Sequence, residues 1–153
     1  MSVVHVENQD ITRAALADLM GVEDGRIDGT KYIDTSLFGV AEGQLRKGKV
    51  QALVLDLGLN PKWDNTHLPR VLKQLAQGLD IAAQDAENFY AYRLALLAHE
   101  RQVPCALLSN FPGMLGLDEQ RSKTLLAAFH AEKIFPKTDV GVEECADWIR
   151  QIL

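Results

Sequence analysis

No apolar run in this sequence approaches the ~20 residues that a bilayer-spanning helix requires. The opening segment, MSVVHVENQD, lacks a basic stretch followed by an apolar one, so no secretory signal is expected and the reading is cytoplasmic, off the membrane. Cysteine is scarce. Cys105 and Cys145 stand alone in apolar surroundings and read as reduced core residues, which excludes a disulfide framework. His5, between Val4 and Val6, reads as a structural strand residue, and His67, His99 and His130 have no ligand-like spacing among them, so a zinc centre is not expected. The net charge is -5 and no extended run of Lys and Arg offsets it, which argues against nucleic acid as a direct partner. Complete glycine-rich phosphate loops of the GxxxxGK[ST] or GxGxxG kind are absent, which argues against an NTPase or a dinucleotide enzyme. No Ser/His/Asp arrangement can be assembled, and nothing is repeated or of low complexity.

What is present is an ordinary globular balance, 47% apolar and 24% charged, at a length of 153 residues that suits a single domain spanning 1–153. Short apolar runs alternate with helical patterns. The runs are Val3–Val6, Thr30–Ile33, Ala52–Leu57, Pro104–Leu108 and Ile134–Phe135; the richest lack polar alternation, as in strands buried on both faces. Between them, Ile11, Ala15 and Leu19 line one helical face, and Leu37, Val40, Ala41 and Leu45 another. Val142, Cys145, Ala146, Ile149 and Leu153 make the cleanest stripe. A βα alternation with five strands predicts an α/β fold: a five-stranded parallel sheet, doubly wound and flavodoxin-like, with strand order 2-1-3-4-5.

The third connection is oversized, because one crossover needs far fewer residues than separate Leu57 from Pro104. Two helices are expected there, an extra one striped by Leu68, Val71, Leu72, Leu75 and Leu79, and one over about 83–101 with Tyr90, Leu94 and Leu97 inward. The insertion covers about 60–88. The segment from Gly21 to Gly29, with Asp24-Gly25 and Asp28-Gly29, reads as a turn-rich surface loop.

Ligands gather beyond the carboxyl ends of strands in an open parallel sheet. That edge receives Glu7-Asn8 from the first strand, Asp56-Leu57-Gly58 from the third, Ser109-Asn110 from the fourth and Pro136-Lys137-Thr138 from the fifth. The set suits phosphoryl chemistry. Asp56 is a carboxylate nucleophile, and Glu7, Asn8 and the Gly58 carbonyl are hard oxygen ligands for Mg²⁺. Ser109 and Lys137 are a hydroxyl donor and a point charge for phosphoryl oxygens. Each has a plainer reading: Asp56 as a turn cap, Glu7 as a solvated acid, Ser109-Asn110 as the start of a turn. Lys137 near the start of the last helix opposes that helix's dipole, which favours a functional role.

Four segments, VVHVENQDITR, VQALVLDLGL, VPCALLSN and AEKIFPKTDVGVEECADWIRQIL, together resemble the framework of the response-regulator receiver domain of two-component signalling. The resemblance omits the 60–88 insertion. It implies that Asp56 accepts a phosphoryl group from a partner histidine kinase with Mg²⁺. Glu7 would be the metal-pocket acid, Gly58 a carbonyl ligand, Ser109 the switch hydroxyl and Lys137 the salt-bridge lysine. The chain departs from the family in three places. Asn8 stands where a second acid is usual, Ile134 where the switch aromatic is usual, and Thr138 replaces the proline after the lysine. Phe135 is adjacent to Ile134 but belongs to the opposite strand face. These departures support a second expectation, a phosphorylation-independent pseudo-receiver that binds a signalling protein or a second copy of itself. A metal-dependent phosphohydrolase ranks last, because Gly58 occupies the place of a second aspartate.

Overall fold

The computed structural model describes residues 1–57, 83–109 and 119–153. In chain order the elements are β1 (Ser2–Val6), α1 (Asp10–Met20), β2 (Arg26–Ile27), β3 (Thr30–Thr35), α2 (Phe38–Arg46) and β4 (Val50–Asp56). They continue with α3 (Ala83–Glu100), β5 (Cys105–Ser109), α4 (Glu119–Phe129), β6 (Lys133–Pro136) and α5 (Asp139–Ile152). The expected helix striped by Leu68 to Leu79 lies outside the described residues, whereas the one expected over 83–101 is α3.

The sheet has the order β2-β3-β1-β4-β5-β6. All pairings are parallel except β2 with β3. Its five parallel strands thus follow the expected 2-1-3-4-5 order, and the described residues form six strands instead of the five expected. The added strand comes from the segment expected to be a loop. Asp28 and Gly29 both take positive φ, 46° and 86°, between the paired residues Ile27 and Thr30. Two such residues are what a two-residue type I′ hairpin needs, and Asp-Gly supplies them at least cost. Asp24 and Gly25, at 49° and 70°, repeat the device between Glu23 and Arg26.

Alternation along each strand divides the core into two layers. Val4, Val6, Leu53, Leu55 and Leu107 face α2, α3 and α4. Val3, Ala52, Val54, Ala106, Leu108 and Phe135 face α1 and α5. The molecule is therefore a doubly wound α/β structure. Among the described residues, no helix is long and apolar enough to cross a membrane.

Helix α1 buries Thr12, Leu16 and Met20, one position on from the expected stripe; Ile11 is 86% exposed and Leu19 lies at the surface. Both stripes satisfy helical spacing, and contact with the sheet selects between them. Gly21, at φ 67°, ends the helix in the left-handed conformation that favours glycine. Helix α2 buries Ala41 and Leu45 but exposes Val40, and Leu37 precedes its first turn. In α3, Leu94 is buried, while Tyr90 turns outward and stacks on Phe38 with ring centroids 5.3 Å apart. The α5 stripe is buried as expected from Val142 to Ile149, with Trp148 added and Leu153 exposed.

Candidate functional site

Strand register and side-chain parity assemble the site. Val6 pairs with Leu55, so one further step along both strands brings Glu7 beside Asp56. Glu7 has the parity of Val3, Asp56 that of Ala52 and Val54, and Lys137 that of Phe135, so all three lie on the α1/α5 side. The Lys137 amide donates to the Ser109 carbonyl at 3.1 Å, which ties the lysine to the end of β5. Thr138 then caps α5 by accepting from the Gly141 amide at 3.0 Å.

The result is one cation held between two carboxylates. Lys137 Nζ lies 2.7 Å from Asp56 Oδ1 and 2.9 Å from Glu7 Oε1. It also donates to Gln9 Oε1 at 3.5 Å. The Lys137 side chain is only 6% exposed and that of Glu7 is fully buried, while Asp56 at 15% keeps an open edge. Glu7 Oε1 additionally accepts the Gln9 amide at 3.1 Å. Glu7 Oε2 is buried and, among the described residues, has no hydrogen-bond partner.

Burial, and then the negative charge of Asp56, push the Glu7 carboxyl up to about 7; Lys137 and the Gln9 amide oppose this without cancelling it. His5 lies beneath, fully buried, with Nδ1 3.2 Å from the Tyr32 hydroxyl. Burial first, then Lys137 and Arg13, push its imidazole down to about 3, so it is neutral and structural. Burial also raises the Tyr32 hydroxyl well above its usual value.

Beside the carboxylates is a hollow of about 40 Å³ lined by Glu7, Asn8, Ser36, Phe38 and Asp56. It is large enough for a small ion or a water. The unpartnered buried Glu7 oxygen is what a hard cation would satisfy, and Glu7, Asp56 and Asn8 are the lining residues that would hold Mg²⁺; among the described residues no group of three or more His, Cys, Asp or Glu side chains is arranged to ligate a metal. Gly58, the expected carbonyl ligand, lies outside the described residues.

Ser109 ends β5, at the strand end where it was expected. It is buried, and its hydroxyl donates to the Leu57 carbonyl, bracing β5 against the end of β4. Ile134 and Phe135 do alternate, with Phe135 buried beside Trp148 on the α1/α5 face and Ile134 against the other layer. Sequence reasoning missed Gln9 and Ser36. Gln9 follows β1 at the N-cap of α1, where a polar side chain is expected; Ser36 follows β3, which had been assigned no role at the rim.

No family model matches the chain, and no curated protein matches it. The fold does have counterparts among solved structures. A de novo designed Rossmann 2x3 fold protein, determined by solution NMR, aligns with a TM-score of 0.53 at 7% identity, over 98% of this chain and 89% of that one. The crystal structure of a probable GTP-binding protein, EngB, aligns with a TM-score of 0.59 at 11% identity, over 99% and 98%. The fold is Rossmann-like. At these identities the likeness is one of architecture.

Proposed function

We propose that this chain is a single receiver-like domain of the flavodoxin-like class, a signalling phosphoacceptor in which Asp56 takes a phosphoryl group from a partner histidine kinase. The observation that carries the reading is Lys137 Nζ, held 2.7 Å from Asp56 and 2.9 Å from Glu7 at the carboxyl edge of the sheet. A GTP-binding role does not transfer from the EngB likeness: the GxxxxGK spacing at Gly43–Lys49 is followed by Val50 instead of Ser or Thr, and it runs from the end of α2 into β4, the reverse of the strand-loop-helix order that cradles phosphates.

In the proposed step an Asp56 carboxylate oxygen forms a bond to phosphorus while the P–N bond of the donor phosphohistidine breaks. The departing electron pair stays on the imidazole, which takes up a proton from water. Asp56 is an apt nucleophile because its carboxylate is partly open while its partners are buried. Lys137 is within reach of the incoming phosphoryl oxygens and balances their charge. Mg²⁺, held by Glu7, Asn8 and Asp56, would supply the remaining charge neutralisation. Intact-mass spectrometry after incubation with a small acyl phosphate tests the reading. A Mg²⁺-dependent phosphoryl adduct absent from Asp56→Asn is expected; no adduct under conditions that modify a working receiver refutes it.

A second reading, the phosphorylation-independent pseudo-receiver, draws on two observations. Asn8 offers no second negative charge to the hollow, and the Ser109 hydroxyl is engaged inward with Leu57. On that reading partner binding is indifferent to Asp56→Asn.

A further inference from the structure

The opposite edge of the sheet carries a second charged feature. Ser2 and Lys49 stand at the amino ends of β1 and β4, where the Ser2 amide donates to the Lys49 carbonyl at 2.9 Å. Lys31 pairs in register with Ser2 on one side and with Arg26 on the other. Lys47 caps the C-terminus of α2. Arg26, Lys31, Lys47 and Lys49 thereby line one hollow of about 390 Å³, together with Gln44, and no acidic residue lines it.

Among the described residues, none of these four cations takes part in an ion pair, whereas Arg13, Arg46, Lys137 and Arg150 all do. The fold accounts for part of the cluster. Lys47 suits the negative end of the α2 dipole, and Arg26 blunts an edge strand. It does not account for Lys31. Like charges directly opposite each other on a sheet are destabilising, and Lys31 faces Arg26 in register. Lys49 adds a fourth positive charge that forms no ion pair among the described residues. In a chain of net charge -5, this is a local positive field inside a concavity of ligand size.

We infer that this hollow is a binding site for a compact polyanion carrying two or more linked phosphate groups. Ammonium groups on separate elements suit a phosphate chain, which offers several charged oxygens within a short span, better than a single carboxylate. The Arg26 guanidinium is already oriented by donating to the Gly29 carbonyl at 3.0 Å. The inference is independent of the phosphoacceptor reading, since the two sites occupy opposite ends of the sheet.

Calorimetric titration of the full chain with sodium tripolyphosphate tests it, comparing wild type, Lys31→Gln/Lys49→Gln and the remote control Lys133→Gln. One-site binding is expected in wild type and control, weakening with added salt, with a loss of about tenfold or more in the double variant. Circular dichroism identical across the three proteins keeps a folding defect from imitating that loss. A parallel titration with ATP separates two sources, both of which uphold the site: tighter binding than tripolyphosphate marks a nucleotide, equal binding a free phosphate chain. Absence of tripolyphosphate binding, or an equal loss in Lys133→Gln, overturns the inference. So does displacement by single-stranded oligonucleotides with affinity growing with their length, which would mark an extended nucleic-acid face.

Discussion

Gly141 approaches Pro136 so closely that a β-carbon at Gly141 would overlap the Pro136 carbonyl oxygen and stand 2.8 Å from its carbonyl carbon. The first turn of α5 therefore rests directly on the end of β6, and that contact sets where Lys137 and Thr138 emerge.

Gly141→Ala is predicted to destabilise the protein by about 2–3 kcal/mol, because the obstructing atoms are backbone and cannot rotate away. The midpoint of urea unfolding checks this. An unchanged midpoint would mean that α5 can lift from β6 without cost.

Lys137→Met should cost about 2–4 kcal/mol at pH 7.5, since it leaves two neighbouring carboxylates, one fully buried, without their cation. The cost should shrink at pH 5, where a protonated Glu7 no longer needs a partner. Unfolding curves at the two pH values measure the difference. A cost independent of pH would show that the lysine contributes packing alone.

The pH dependence of wild-type stability combines two opposed groups. The Glu7 carboxyl is raised to about 7 in the folded state, so from about 4.5 to 7 the folded protein holds a proton that the unfolded chain has released, and stability falls as pH rises. The His5 imidazole is lowered to about 3, so below about 6.5 the unfolded chain holds the extra proton, and stability falls as pH drops. Between about 4.5 and 6.5 the slopes offset each other. Glu7→Gln removes the first and keeps the second. Going from pH 7 to pH 5, the variant should lose about 2 kcal/mol more than wild type. Parallel stability–pH profiles would contradict the assignment.

Two substitutions on α1 distinguish its two apolar stripes. Ile11→Ser should change stability by no more than about 0.5 kcal/mol, whereas Leu16→Ala should cost about 2–4 kcal/mol, because Leu16 is fully buried between α1 and the sheet. The reverse ranking, read from urea midpoints, would restore the stripe through Ile11, Ala15 and Leu19.

These two stripes illustrate where sequence reasoning stops. Ile11, Ala15 and Leu19 obey helical spacing as well as Thr12, Leu16 and Met20 do, and the rotation of the helix is decided by what it packs against. Tyr90 was expected inward for the same reason and instead stacks on Phe38. The Arg26–Ile27 strand was missed although its signal was local: two Asp-Gly pairs spaced by two residues are hairpin turns, not a generic loop.

The amino-acid sequence by itself determined the alternation of strands and helices, the parallel order of five strands and the delivery of Glu7, Asp56, Ser109 and Lys137 to strand ends. Those follow from side-chain periodicity and from the handedness of βαβ connections, which are properties of a short stretch of backbone. Only the tertiary structure decided that one ammonium joins Glu7 to Asp56, that the Ser109 hydroxyl turns to Leu57, and that Arg26, Lys31, Lys47 and Lys49 gather around one hollow. Periodicity assigns each side chain to a face of the sheet, but which side chains meet across distant strands depends on how the whole sheet and its helices pack.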